Sequence, residues 1–202
     1  MQVNTPRTLQ LPASVLTIGA LDGVHRGHQE MIRLARARAK ELGVPLVVYT
    51  FDPPPRVYFQ HTILLSSLPE KLRKLESLGV DHVIVAPFDA DYVSKGVGTF
   101  LDELAEVNPL EVWEGSDFRF GRNRDGDINT LRERFAVHVV EPVRCPSGKI
   151  ISSSRIRALL MQDLAEEARE LLGWPLPSNE EKWPTSTSQG GIDHANPKIS
   201  EI

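Results

Sequence analysis

Val15-Leu16-Thr17-Ile18-Gly19-Ala20-Leu21-Asp22-Gly23-Val24-His25-Arg26-Gly27-His28-Gln29 is the stretch on which the fold turns. Its first six residues form an apolar run that predicts a buried strand, Val15 to Ala20. From Gln29 to Leu42 the apolar spacing becomes helical, and Gly43 supplies the stop. Glycines in the intervening loop allow tight turns and close approach of the backbone to a ligand. A helix opening near His28 would aim its unpaired amides and the positive end of its dipole at that loop.

The same alternation continues along the chain. Leu46 to Phe51 reads as a second strand, ended by Pro53-Pro54-Pro55, which cannot continue ladder bonding. Ser67-Leu68-Pro69-Glu70 has the form of a capping box that opens a helix running to Leu78, with Gly79 as its stop. His82 to Pro87 is a third strand and Phe100 to Val107 a helix. Leu110 to Glu114 and Val137 to Glu141 supply two more strands, with a helical piece near Asp127 to Phe135 between them. Ser152 to Met161 and Leu164 to Leu172 close the pattern as helices. Alternation of this kind predicts an α/β fold, a five-stranded parallel sheet with helices on both faces. Ligands in such folds bind beyond the carboxyl ends of the strands, which points to the loops after Ala20, Phe51, Gly115 and Glu141. After Gly173 periodicity is lost, so residues 1–177 read as one domain and 178–202 as a disordered polar tail.

Composition narrows the class. Twenty-three Lys and Arg against 27 Asp and Glu leave a net charge of −4, so no general pull toward nucleic acid or anionic lipid exists. Any anion site must be local. Cys145 is the single cysteine, which rules out an internal disulfide and suits a reducing compartment. The N-terminal apolar run is broken by Pro12, Ser14, Thr17 and Gly19, unlike a signal peptide or a membrane span. The expectation is a cytoplasmic protein.

His25 and His28, three apart across Arg26-Gly27, can converge on one oxygen-rich group at the helix terminus. Protonated or hydrogen-bonding imidazoles there would stabilise charge developing on a phosphorus centre. The alternative is structural: one histidine caps the helix and the other lies on the surface. A zinc site has less support, because one cysteine and no third ligand of suitable spacing are present. Position between a first strand and a first helix favours phosphate chemistry.

Ile150-Ile151-Ser152-Ser153-Ser154-Arg155-Ile156-Arg157 follows the fifth strand and opens a helix. Serines at a helix start cap free amides, and that alone would explain them. Three hydroxyls followed by two arginines also make a polyphosphate cradle, with amides gripping one phosphate and a guanidinium another. Both readings stand for the segment alone. With the histidine loop on the same sheet edge, it would complete a site.

Together the two segments resemble the signature motifs of the nucleotidylyltransferase superfamily. More narrowly, Thr17-Ile18-Gly19, Asp22-Gly23-Val24-His25 and Gly27-His28-Gln29 resemble the FMN adenylyltransferase module of bacterial bifunctional riboflavin kinase/FAD synthetase. Thr50-Phe51-Asp52-Pro53-Pro54-Pro55-Arg56, Gly115-Ser116-Asp117-Phe118-Arg119-Phe120-Gly121 and Leu171-Leu172-Gly173-Trp174-Pro175 agree with that module in kind and order. The resemblance implies a Rossmann-like nucleotidyltransferase that moves AMP from ATP to FMN, giving FAD and pyrophosphate, with magnesium. It implies that His25 and His28 bind the ATP phosphates and act catalytically with Arg157, and that Ser153, Ser154 and Arg157 hold the β- and γ-phosphates. Gly19, Leu21, Gly27 and Ile151 would lie along the nucleotide. Asp117 and Phe118, with Phe51 and Pro53, would line the flavin side. Ala20-Leu21 and Pro54 depart from the family pattern. After Pro175 no riboflavin kinase module follows, so riboflavin phosphorylation is not expected. Two rivals share part of this signature: transfer to another phosphorylated acceptor, and a non-catalytic nucleotide- or flavin-binding module.

The remaining motifs have plainer readings. Arg33, Arg36, Arg38 and Lys40 form the solvated face of the first helix. Trp113 belongs to the core, and Arg119, Arg122 and Arg124 lie in a loop at the ligand edge. Cys145 is assigned no role.

Overall fold

The computed structural model describes residues 1–174, and the expected tail lies outside them. Six parallel strands form the main sheet: β1 (Gln2–Asn4), β2 (Ser14–Ile18), β3 (Leu46–Asp52), β4 (His82–Pro87), β5 (Pro109–Gly115) and, after a small hairpin, β8 (Val137–Val140). Their spatial order is β1-β4-β3-β2-β5-β8. The hairpin pairs β6 (Arg119–Phe120) with β7 (Gly126–Asp127) in antiparallel sense. Six strands replace the expected five because β1 adds an edge. It has only three residues, two of them polar, and its Val3 stays exposed, so no apolar run announces it.

Helices cover both faces, as expected. α1 (Arg26–Leu42) and α3 (Leu68–Ser77) bring Ile32, Ala35, Ala39 and Leu75 onto Val15, Leu46, Val48 and Val83. Following the period-two alternation of the strands, the other face carries Leu16, Ile18, Val47, Tyr49 and Val112. Against it pack Phe100 and Leu104 of α5 (Val97–Ala105) and Leu131 of α6 (Ile128–Arg132). Two short helices, α2 (Pro55–Gln60) and α4 (Ala90–Val93), flank the carboxyl edge. α2 opens at Pro55, where a missing N–H costs nothing, so the proline run starts a helix as well as ending a strand.

α7 (Ser153–Met161) and α8 (Ala165–Leu172) build a third apolar cluster in which Leu65, Ile151, Ile156 and Leu171 meet. Gln29 Nε2 donates to the carbonyls of Val24 (2.8 Å) and Leu172 (2.7 Å), and Trp174 Nε1 donates to Val24 O (2.7 Å). The last helix is thereby fastened to the histidine loop. Gly23 allows this closeness, since at φ +80° a Cβ there would meet Leu172 Cδ2 at 2.9 Å. Among the described residues no helix is long and apolar enough to cross a membrane.

Candidate active site

α1 begins at Arg26, two residues before the expected start near His28. His25 itself is the N-cap: its backbone is extended and its Nδ1 accepts the His28 N–H at 3.4 Å. The residue types that usually mark this position are absent, which is why the sequence placed the boundary late. The structural alternative for the histidine pair is therefore realised in part, since one of the two does cap the helix. Yet both rings face one cavity. They stack with centroids 3.6 Å apart and planes 16° from parallel. A Cβ on Gly27 would stand 3.1 Å from the His25 ring, so glycine there makes room for the imidazole.

The cavity has a volume of about 420 Å³, within the range that takes a nucleotide-sized ligand. Gly19, Leu21, His25, Gly27 and His28 line one side, Ile151 and Ser153 another, Asp117 and Phe118 a third. It opens at the carboxyl ends of β2, β5 and β8, the edge expected from the parallel topology. α7 points its first turn at this edge, with Ser152 accepting the Arg155 N–H at 3.3 Å as N-cap. Capping falls to Ser152, which leaves Ser153 on the cavity wall, where its hydroxyl donates to Asp22 O at 3.1 Å.

Burial sets the protonation of the imidazoles. His25 is pulled down to about 4, chiefly because its charged form would be stripped of water. His28 lies well below the ordinary histidine range for the same reason, reinforced by His25 and Lys71. Both are thereby favoured as neutral hydrogen-bonding groups at neutral pH, the second of the two states the sequence allowed. Since His25 Nδ1 accepts, its proton sits on Nε2. Among the described residues the buried His28 Nδ1 has no hydrogen-bond partner, an unusual state for a polar atom. Glu114, on the floor, accepts the Ile18 N–H, and desolvation lifts its carboxyl well above the usual range.

Arg157 takes a different position from the one the sequence suggested. Its guanidinium is buried, paired with the carboxylate of Asp22, and donates through Nε to Ile63 O at 2.7 Å. Neither Arg157 nor Ser154 lines the cavity; Ser154 Oγ instead accepts from Arg56 at 2.6 Å. Phe51 and Pro53 also lie off the cavity wall, and Phe51 belongs to an aromatic cluster with Phe88 and Tyr92. Arg119 is held by Asp127 at 2.9 Å. The first helix's arginines are surface partners of acids, Arg33 with Glu30 and Arg38 with Glu41 and Glu111.

Sequence reasoning missed Asp22 and Lys71. Asp22 accepts the N–H groups of Leu65 and Ser66 at 3.0 and 3.1 Å as well as Arg157, so one carboxylate joins the histidine loop, the segment before α3 and α7. The one local signal for Lys71 is its place on the apolar stripe of its helix, between Leu68 and Leu75. Neither residue's partners are local, and no spacing rule reveals them.

A parallel α/β sheet whose carboxyl edge gathers two helix N-termini, a histidine pair and a serine around one cavity defines a nucleotidyltransferase-type domain. The chain belongs to the FAD synthetase family, whose model matches residues 8–155. It is 51% identical over 170 residues to a Geobacillus thermodenitrificans protein named provisionally as a bifunctional riboflavin kinase/FMN adenylyltransferase, covering 84% of this chain and 95% of that one. Identity is 39% over 183 residues with the Haemophilus influenzae bifunctional riboflavin kinase/FMN adenylyltransferase, covering 85% of this chain but 58% of that one. A Listeria monocytogenes FAD synthetase is 34% identical over 175 residues, covering 81% and 70%. Among solved structures, one titled a macrolide-efflux protein from Streptococcus pneumoniae superposes with a TM-score of 0.77 at 28% identity, covering 88% of this chain and 72% of that one. The chain thus spans little more than half of the Haemophilus protein and nearly all of the Geobacillus one.

Proposed function

We propose that this domain transfers the adenylyl group of ATP to FMN, giving FAD and pyrophosphate. The observation that supports this best is the meeting of the two signature segments at Asp22, which Ser153 and Arg157 both grip, beside a cavity that both segments line. In this reading the triphosphate lies against the amides of α1 and α7, with His25, His28, Gly27 and Ser153 as donors. Gly19, Leu21 and Ile151 hold the nucleoside. Arg157 acts from behind the wall, holding Asp22 and through it the histidine loop. Asp117 and Phe118 meet the flavin.

The FMN phosphate oxygen attacks the α-phosphorus in line, forming one P–O bond as the bond to the β-phosphate oxygen breaks. An ionised phosphate needs no general base, so catalysis consists of positioning and charge stabilisation. Neutral histidines serve this well, because an N–H donor strengthens as charge grows on the phosphorus oxygens without holding ground-state ATP as tightly as a cation would. Among the described residues no three His, Cys, Asp or Glu side chains gather to hold a metal. In this reading magnesium enters as part of the MgATP substrate, ligated by the triphosphate.

Incubation with magnesium, ATP and FMN should quench flavin fluorescence and release pyrophosphate. His28→Ala should lower turnover at least tenfold, about 1.4 kcal/mol. Turnover within twofold of the unsubstituted protein would remove the histidines from the chemistry. One observation keeps a second acceptor in view: Phe51 and Pro53 stand away from the cavity, so only half of the flavin-side set faces it. Pyrophosphate release with other phosphorylated acceptors but not with FMN would favour that second reading.

A further inference from the structure

Lys71 is 1% exposed, one of the largest side chains fully enclosed in this protein, and it is charged. An ammonium out of water is tolerated only where oxygens replace its hydration. Here its Nζ donates to Ala20 O (3.0 Å), Phe51 O (3.0 Å) and Thr50 Oγ1 (3.4 Å). Those acceptors come from two places: Ala20 opens the histidine loop after β2, and Thr50 and Phe51 end β3. Thr50 Oγ1 also donates to Ala20 O at 3.2 Å, which draws the two strand ends together around the ammonium.

Its carboxylate neighbours are Asp22, in the histidine loop, and Asp52, at the end of β3; the titratable group facing it from α1 is His28. Asp22 is already paired with Arg157. The buried groups beneath the loop thus comprise two cations, Arg157 and Lys71, with one enclosed carboxylate between them, and Asp52 at the half-buried margin. With both histidines neutral, the positive potential at the loop has to come from elsewhere. Arg157 is neutralised by its contact with Asp22, and Lys71 has no direct ion pair among the described residues.

We infer that Lys71 is a positioning residue for the phosphate site: it fastens the histidine loop to the end of β3 and sets a fixed positive charge behind the imidazoles. The inference rests on the reading of this cavity as the ATP site. It accounts for a lysine on the apolar stripe of α3, between Leu68 and Leu75. Burial, opposed by Asp22 and Asp52, lowers the ammonium to about 8, so it remains charged at neutral pH and loses its proton on mild alkalisation.

Two substitutions separate clamp from charge. Lys71→Gln keeps donors at the same depth and removes the charge; Lys71→Arg keeps a charge that does not titrate in the accessible range. Lys71→Gln should lower kcat/KM for ATP at least tenfold while leaving KM for FMN within twofold. In the unsubstituted protein kcat/KM for ATP should fall above about pH 8, as the ammonium loses its proton, and Lys71→Arg should abolish that limb. ATP kinetics of a folded Lys71→Gln within twofold of normal would overturn the inference. So would an alkaline limb that persists unchanged in Lys71→Arg, and this arm decides the matter if the glutamine variant fails to fold. Should the unsubstituted protein make no FAD, calorimetric titration of the variants with MgATP still tests Lys71, so failure of the two readings can be told apart.

Discussion

Two buried polar networks lie on opposite faces of the same sheet, each with a lysine and an acid. Beneath the cavity, Asp22 binds Arg157, with Lys71 close by. On the other face, Tyr49 donates to Glu103 and meets the Tyr92 hydroxyl at 2.9 Å, while Lys95 pairs with Glu103 at 2.9 Å. The second network is closed: each polar tip points at another, and its members line none of the cavity. The first is open. Its carboxylate organises three chain segments, and the loop above it carries a buried His28 Nδ1 that has no partner among the described residues. Burial and perturbed ionisation occur in both, so neither property marks function. Unspent hydrogen-bonding capacity beside an opening does.

Breaking each network at its acid gives the largest contrast. Asp22→Ala strands Arg157 in a buried site, and Glu103→Ala takes the acceptor from the Tyr49 hydroxyl and leaves Lys95 without its partner. Removing one partner of a buried pair costs about 3–5 kcal/mol, so both proteins should melt well below the parent. Only Asp22→Ala should also lose ATP kinetics in the fraction that stays folded. Equal kinetic damage from Glu103→Ala would erase the distinction between the two faces.

Acid sharpens the comparison next. His25 titrates near 4 in the folded protein and near 6.5 when unfolded, so the unfolded chain binds more protons between those values. The His25 contribution to stability should therefore rise with pH across that window and be lost as pH falls through it, while Glu114, whose raised carboxyl keeps its proton in the folded state, works in the opposite sense. A shift of that size corresponds to about 3 kcal/mol. Urea midpoints measured from pH 4 to 7 in the parent and in His25→Asn isolate this contribution as the difference between the two slopes, His28 acting in the same sense in both. The two phenols of the far face stay neutral throughout that range, because burial raises them further above it. An undiminished slope in His25→Asn would relocate the acid sensitivity to other groups.

How much of this was legible in the sequence divides along the same line. Strand and helix alternation was readable because apolar runs and helical stripes are local signals, and five of the six sheet strands were anticipated within two residues. β1 was invisible, since a three-residue edge strand has neither period nor apolar content. In the site, spacing and position exposed His25, His28 and Ser153. The family resemblance assigned Arg157 directly to phosphate, and nothing near it in the chain reveals that Asp22, 135 residues away, holds its guanidinium. Lys71 hid for a related cause: a lysine in a helix reads as solvated until the oxygens around it are known. Residues that touch ligand tend to sit in recognisable local patterns, whereas those that hold them from behind are defined by tertiary contact.

The smallest effect belongs to the closed network. Tyr92→Phe deletes one hydroxyl that meets Tyr49, and Tyr49 retains its bond to Glu103, so no buried group is left without a partner. A hydrogen bond lost under those conditions costs about 1 kcal/mol, and the packing of the ring against Phe51 and Phe88 survives. FAD formation should stay within twofold of the parent, measured by flavin fluorescence at matched ATP and FMN. A larger kinetic loss with the modest stability change would mean that the far face communicates with the acceptor side through Phe51, which Tyr92 touches and which stands off the cavity wall. A closed network would then be part of the acceptor pocket, and the contrast between the two faces would have to be redrawn around that ring.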